Sequence, residues 1–142
     1  MRTGEAYVWR AASGPFDGEA TMARITEILA EAMRIDGAIG AAIADWRLGH
    51  CLGSAGGGAQ IDIEVAALSN CPVLAAKMAL LHKLGREDSI HDILVTLEDQ
   101  IHLLRPLRRC ASLFLYVALD RGRANLAIAR HRLGKLEADL KV

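Results

Sequence analysis

Histidine and cysteine are the side chains that most often bind metals or attack substrates. This chain of 142 residues holds five of the first and three of the second. The histidines are His50, His82, His91, His102 and His131, and none stands in an HxxxH or HExxH pair. His50 and Cys51 are adjacent, and in a strand their side chains point to opposite faces, so they cannot chelate one ion. His91 and His102 could face each other on neighbouring strands, but two histidines alone make a weak site. Cys71 precedes Pro72 inside a helical pattern and reads as a small buried hydrophobe. Cys110 follows Arg108-Arg109, a setting that can lower a thiol pKa. Asp92, Glu98 and Asp99 form no carboxylate pair that spacing alone would fix.

The glycine run Gly53-Ser-Ala-Gly-Gly-Gly-Ala-Gln60 precedes a helix and invites comparison with a phosphate loop. Ala59-Gln60 stands where such a loop needs lysine and Ser/Thr, so the phosphate cation and the magnesium ligand are both missing. A flexible connector is the better reading. No serine sits in a GxSxG elbow. The inventory argues against a self-contained enzyme and implies neither a metal nor a cofactor. An enzyme would have to rely on Cys110 or on the His91/His102 pair.

Lys plus Arg balance Asp plus Glu, 17 against 17, so no overall field draws in nucleic acid. Aromatic residues make up 4% of the chain, too few for a base-stacking surface. An odd number of widely spaced cysteines without CxxC argues against a disulfide framework and for a reducing cytoplasm. No signal-peptide pattern opens the chain. The longest apolar stretch carries Pro72 and Lys77, so no membrane span is expected. The length suits one domain, placed at residues 16–142 behind a flexible arm at residues 1–15.

The elements follow from hydrophobic period. Ile90–Leu97, Ile101–Leu104 and Leu113–Leu119 are short apolar runs closed by polar residues, and they read as consecutive antiparallel strands. In the first, Ile93, Val95 and Leu97 share one face. The third is apolar on both faces, which places it at the centre of the sheet. Asp17 to Ile35 has one apolar stripe, from Met22 to Met33, and predicts a helix capped by Asp17 and closed by Asp36-Gly37. Ala38–Trp46, rich in small residues, and His50–Ser54 predict a hairpin whose small side chains let a helix come close. A long helical pattern runs from Asp62 to Leu84. Pro72 interrupts it, with the break at Asn70-Cys71, and Gly85 stops it. The last helix covers Asn125–Leu140, with Leu126, Ile128, Ala129, Leu133, Leu136 and Leu140 as its stripe. The order is α-β-β-α-β-β-β-α, an α+β fold.

The long helix is apolar over more than one face, so more than one side must be covered. One side meets the sheet, and the other could meet a second copy of the chain. If the Ile90–Leu97 strand lies at the sheet edge, pairing with its mate would hide that edge. The residues assigned to this interface are Ala67, Leu68, Leu74, Ala75, Met78, Leu81, Ile93 and Val95.

Two stretches, Asp36-Gly-Ala-Ile-Gly-Ala-Ala-Ile-Ala-Asp45 through the Gly49 turn and Asp120-Arg-Gly-Arg-Ala-Asn-Leu-Ala-Ile-Ala-Arg130, together with the element order, resemble the Roadblock/dynein light chain family. The resemblance covers Asp17 to Leu140; the Cys71-Pro72 break departs from it. It implies a profilin-like/Roadblock fold: a five-stranded antiparallel sheet with one helix on one face and two on the other. It also implies dimers joined into one continuous sheet with paired central helices, and a small Ras-like GTPase partner. The chain would then be a non-enzymatic adaptor, acting as scaffold or GTPase-activating partner. Arg86, Arg105, Arg108, Arg109 and Arg121 are arginine-finger candidates by residue type alone. The alternative is a small-molecule-sensing domain of the PAS or GAF kind, which needs a pocket between sheet and helix.

Overall fold

The fold comes from a computed structural model, which describes residues 18–86, 90–108, 110 and 112–138. The arm at residues 1–15 and the Asp17 cap lie outside the described residues. Nine elements follow in chain order: α1 (Gly18–Ala32), β1 (Ala38–Asp45), β2 (His50–Gly56), α2 (Ile63–Ser69), α3 (Cys71–Lys83), β3 (Ile93–Thr96), β4 (Gln100–Pro106), β5 (Leu113–Asp120) and α4 (Leu126–Ala138).

The strands form one antiparallel sheet in the order β2-β1-β5-β4-β3. β5 is central, as a strand apolar on both faces must be, and its residues 113–119 are all buried. Its alternate residues divide the core into two layers. Leu113, Leu115, Val117 and Leu119 meet Ile25, Ile28, Leu29 and Ala32 of α1 and Ala129 and Leu133 of α4. Phe114, Tyr116 and Ala118 face the other way, toward Ile63 and Ala67 of α2 and Cys71 and Leu74 of α3. The fold is therefore α+β, with α1 and α4 on one face and the broken helix α2–α3 on the other.

The long helix breaks where the sequence placed the break. Asn70 ends α2 and begins α3, and its side-chain amide donates to the Ala66 carbonyl at 2.8 Å. Pro72 then falls in the first turn of α3, where a missing N–H is harmless. Asp62 caps α2 by accepting the Val65 N–H at 3.1 Å, and Asn125 caps α4 by accepting the Ile128 N–H at 3.0 Å. Gly85, at φ +71°, closes α3 in the left-handed region, and the Arg86 N–H reaches back to the Leu81 carbonyl at 2.9 Å.

Some boundaries differ from the sequence reading. α1 stops at Ala32 rather than Ile35, because Arg34 and Ile35 donate three residues back and tighten the last turn. β3 is confined to four residues, since its pairing with β4 ends at Thr96 and Ile101. Met22 and Ile128, both counted in apolar stripes, are 45% and 55% exposed. The small side chains of β1 do admit a helix: a Cβ on Gly40 would overlap the Ile63 side chain and lie 2.9 Å from the Gly57 nitrogen.

A candidate partner-docking surface

The chemistry-bearing residues are scattered by the fold. His102 lies opposite Val95 on β3, so the cross-strand histidine pair does not form. Instead His91 faces Arg108, with His91 Nε2 3.2 Å from its guanidinium. His102 Nε2–H donates to Gln100 Oε1 at 2.8 Å, and His102 Nδ1 accepts the Tyr116 hydroxyl at 3.0 Å. Burial lowers the His102 pKa and pushes the Tyr116 phenol up to about 12, so both rings are held neutral at pH 7. This pair is a structural bridge between β4 and β5.

The three thiols are held protonated at neutral pH. Burial pushes Cys51 up to about 11, and it raises Cys71 and Cys110 as well. At Cys110 desolvation by burial outweighs the lowering effect of the Ser112 and Leu113 backbone groups and of the Arg47 charge, so the thiol is not turned into a thiolate. Among the described residues no three His, Cys, Asp or Glu groups gather as a metal site. In the glycine run, Gly56, Gly57 and Gly58 all have positive φ, and the run serves to turn the chain from β2 into α2.

The arginine-finger candidates are mostly engaged. Arg105 is 11% exposed and ion-paired. Arg121 donates to the Leu97 carbonyl at 3.0 Å. Arg108 faces His91, and Arg109 lies outside the described residues.

What the fold leaves open is apolar surface on α2, α3 and β3. Of the eight residues assigned to an interface, Ala67 and Leu74 are fully buried against the chain's own sheet and present nothing to a partner. Sequence period could not separate them, because the helix is apolar over more than one face. Ala75, Met78, Leu81 and Ile93 are half-buried, and Leu68 and Val95 are exposed at 37% and 38%. Ile93 sits opposite Leu104 and Val95 opposite His102, so both point to the α3 side of the sheet. The eight-residue assignment missed Val65, Val73, Leu80 and Leu84, which are between 42% and 65% exposed. Cys71 and Leu74 are the fully buried residues of α3. By length and composition Ile63–Lys83 could cross a membrane, and only 22% of its most apolar window is buried in the fold.

A different surface lies between α1 and α4. One cleft of about 450 Å³ is lined by Glu31, Arg34, Arg132, Lys135 and Leu136, and a second of about 210 Å³ adjoins it beside Arg24, Glu27 and Ile28. Both are open, and the first is mainly polar. Neither lies between the sheet and α2–α3, where side chains from Ile63 to Leu74 fill the space.

No protein-family model and no curated protein matches the chain. Solved structures do. MglB from Myxococcus xanthus is 18% identical, with a TM-score of 0.75 over 88% of this chain and 89% of that one. A Roadblock/LC7 domain from Streptomyces avermitilis is 12% identical, with a TM-score of 0.65 over 82% and 91%. An MglB in a tetrameric arrangement is 22% identical, with a TM-score of 0.68 over 89% of each chain. The chain has the Roadblock fold.

Proposed function

We propose that this protein is a dimeric, non-enzymatic adaptor that binds a small Ras-like GTPase, as a scaffold or a GTPase-activating partner. The observation that carries the reading is the apolar surface left exposed on α3 and on the edge strand β3. Leu80 and Leu84 are 44% and 65% exposed, and Val95 is 38% exposed. Apolar surface of this kind, together with a strand with unpaired backbone groups, suits symmetric pairing of two copies. We place Leu68, Ala75, Met78, Leu81, Ile93 and Val95 on that seam.

The same surface argues for a protein partner rather than a bilayer. The Ile63–Lys83 stretch is broken at Asn70, and Ala67, Cys71 and Leu74 hold it to the sheet. Self-association is supported by the MglB structure in a tetrameric arrangement, which shares this fold. The GTPase partner and the non-enzymatic role rest on the likeness to Roadblock proteins. The free cysteines suit a reducing cytoplasm.

Two measurements test this. Sedimentation over a range of concentrations is expected to show a dimer. A purified small Ras-like GTPase of the same organism is expected to be retained on it when loaded with GTP. A chain that stays monomeric at high concentration, or that retains neither nucleotide form of the GTPase, sinks the corresponding half of the proposal. A sensing role of the PAS or GAF kind would instead reveal itself as stabilisation by a small molecule.

A further inference from the structure

β3 is an edge strand of four residues, and contacts beyond the β-ladder hold both of its ends. At its start, the Asp92 side chain is 9% exposed. It accepts two bonds from the guanidinium of Arg130 on α4, at 2.8 and 3.3 Å, and lies 3.5 Å from Arg105 of β4. Arg105 Nε–H in turn donates to Glu137 of α4 at 2.9 Å. The other Glu137 oxygen accepts the backbone N–H of Arg108 at 2.7 Å. Beyond its end, Arg121 donates to the Leu97 and Glu98 carbonyls at 3.0 and 3.5 Å, and its own N–H meets the Asp99 carbonyl at 3.0 Å.

The cluster at Asp92 has two carboxylates and two guanidiniums, and three of its four side chains are about nine-tenths buried. Such clusters add little net stability compared with apolar packing, but removing one member leaves the others buried and unpaired. α4 is shaped around it. A Cβ on Gly134 would lie 3.2 Å from Arg105 Nη2, so a glycine, otherwise unfavourable inside a helix, leaves room for the guanidinium.

We propose that Asp92, Arg105, Arg130 and Glu137 form a positioning latch through which α4 sets the edge strand β3 for pairing with a second copy of this chain. The inference rests on the dimer reading above. Asp92 directly precedes Ile93, so fixing its carboxylate fixes where the strand begins. A strand ordered before association has less conformational entropy to lose on pairing.

Asp92→Asn tests the latch, since it keeps the shape and one acceptor oxygen and removes the charge. The dimer constant is expected to weaken at least about tenfold, the scale of ordering one or two β3 residues that are no longer held before pairing. Amide exchange across β3 and β4 should quicken. Gly134→Ala, which crowds Arg105, should move both readouts the same way. Leu133→Ala, an α4 core truncation outside the cluster, should lower the melting temperature while leaving the dimer constant within about threefold. If Asp92→Asn keeps the wild-type dimer constant and β3 exchange, the latch is refuted. If Leu133→Ala weakens the dimer as much, general stability and not the latch sets the pairing. If the wild type itself is a monomer, the dimer reading falls, and β3 exchange in Asp92→Asn still decides whether the cluster holds the strand.

Discussion

Replacing Val95 with lysine is expected to separate the two copies without unfolding either. Val95 points to the α3 side of β3 and is 38% exposed in the single chain. Full burial of a valine is worth about 1.5 kcal/mol, so covering what remains is worth about 0.6 per copy and about 1.1 for a symmetric pair. Lysine forfeits that and places two ammonium groups across the twofold axis. At a separation of about 8 Å and an effective dielectric of about 20, they repel by about 2 kcal/mol. Together this is about 3 kcal/mol, or roughly two orders of magnitude in the dissociation constant. The lysine stem still covers part of the apolar surface, so the thermal midpoint of the monomer should move little. Sedimentation equilibrium at low and high salt separates the two contributions, because salt screens the repulsion and leaves the lost burial untouched. A dissociation constant unchanged from wild type, or a loss that salt does not partly reverse, refutes the placement of Val95 at the seam.

Further outcomes follow from single observations. Burial holds His102 neutral, so the unfolded chain takes up the extra proton first, and stability should fall as pH drops below about 6.5. His102→Gln should flatten that acid-side slope in thermal melts, and an unchanged slope would remove His102 as its source. Alkylation of the native protein at neutral pH should be slow, because Cys51 is pushed up to about 11 and Cys71 and Cys110 are also raised; a fast-reacting thiol at any of the three contradicts this. Gly40→Ala should lower stability by about 1–3 kcal/mol through overlap with Ile63, although glycine-to-alanine changes at compatible sites usually stabilise. A melting temperature equal to or above wild type would show that α2 sits farther from β1 than described.

Much of the fold was legible because local pattern and tertiary role agree. Leu113–Leu119 is apolar at every position, and only a central strand covered on both faces can use such a run. Asn70 and Pro72 announce the break between α2 and α3 because a missing N–H is tolerated only in a first turn. Asp45 was not singled out. It is 2% exposed, accepts the Arg47 and Leu48 N–H groups at 2.9 and 3.1 Å and the Ser112 hydroxyl at 3.2 Å. Its place before the Gly49 turn was the available signal, but Ser112, 67 residues later, was not visible from there.

The sequence alone determined the kinds and order of the elements, because period, caps and breakers act between residues a few positions apart. It also showed no HxxxH, HExxH, CxxC or GxSxG spacing. Tertiary structure decided which side of the long helix is used within the chain: Ala67 and Leu74 are consumed by the sheet, while Leu80 and Leu84 are left out. It also brought Asp92 to Arg130 and Glu137 to Arg105, pairs separated by 38 and 32 residues. A helix apolar over more than one face carries no clear periodic mark of which face meets its own sheet, and a charge carries no mark of its partner. Both are set by where the strands cross beneath the helices.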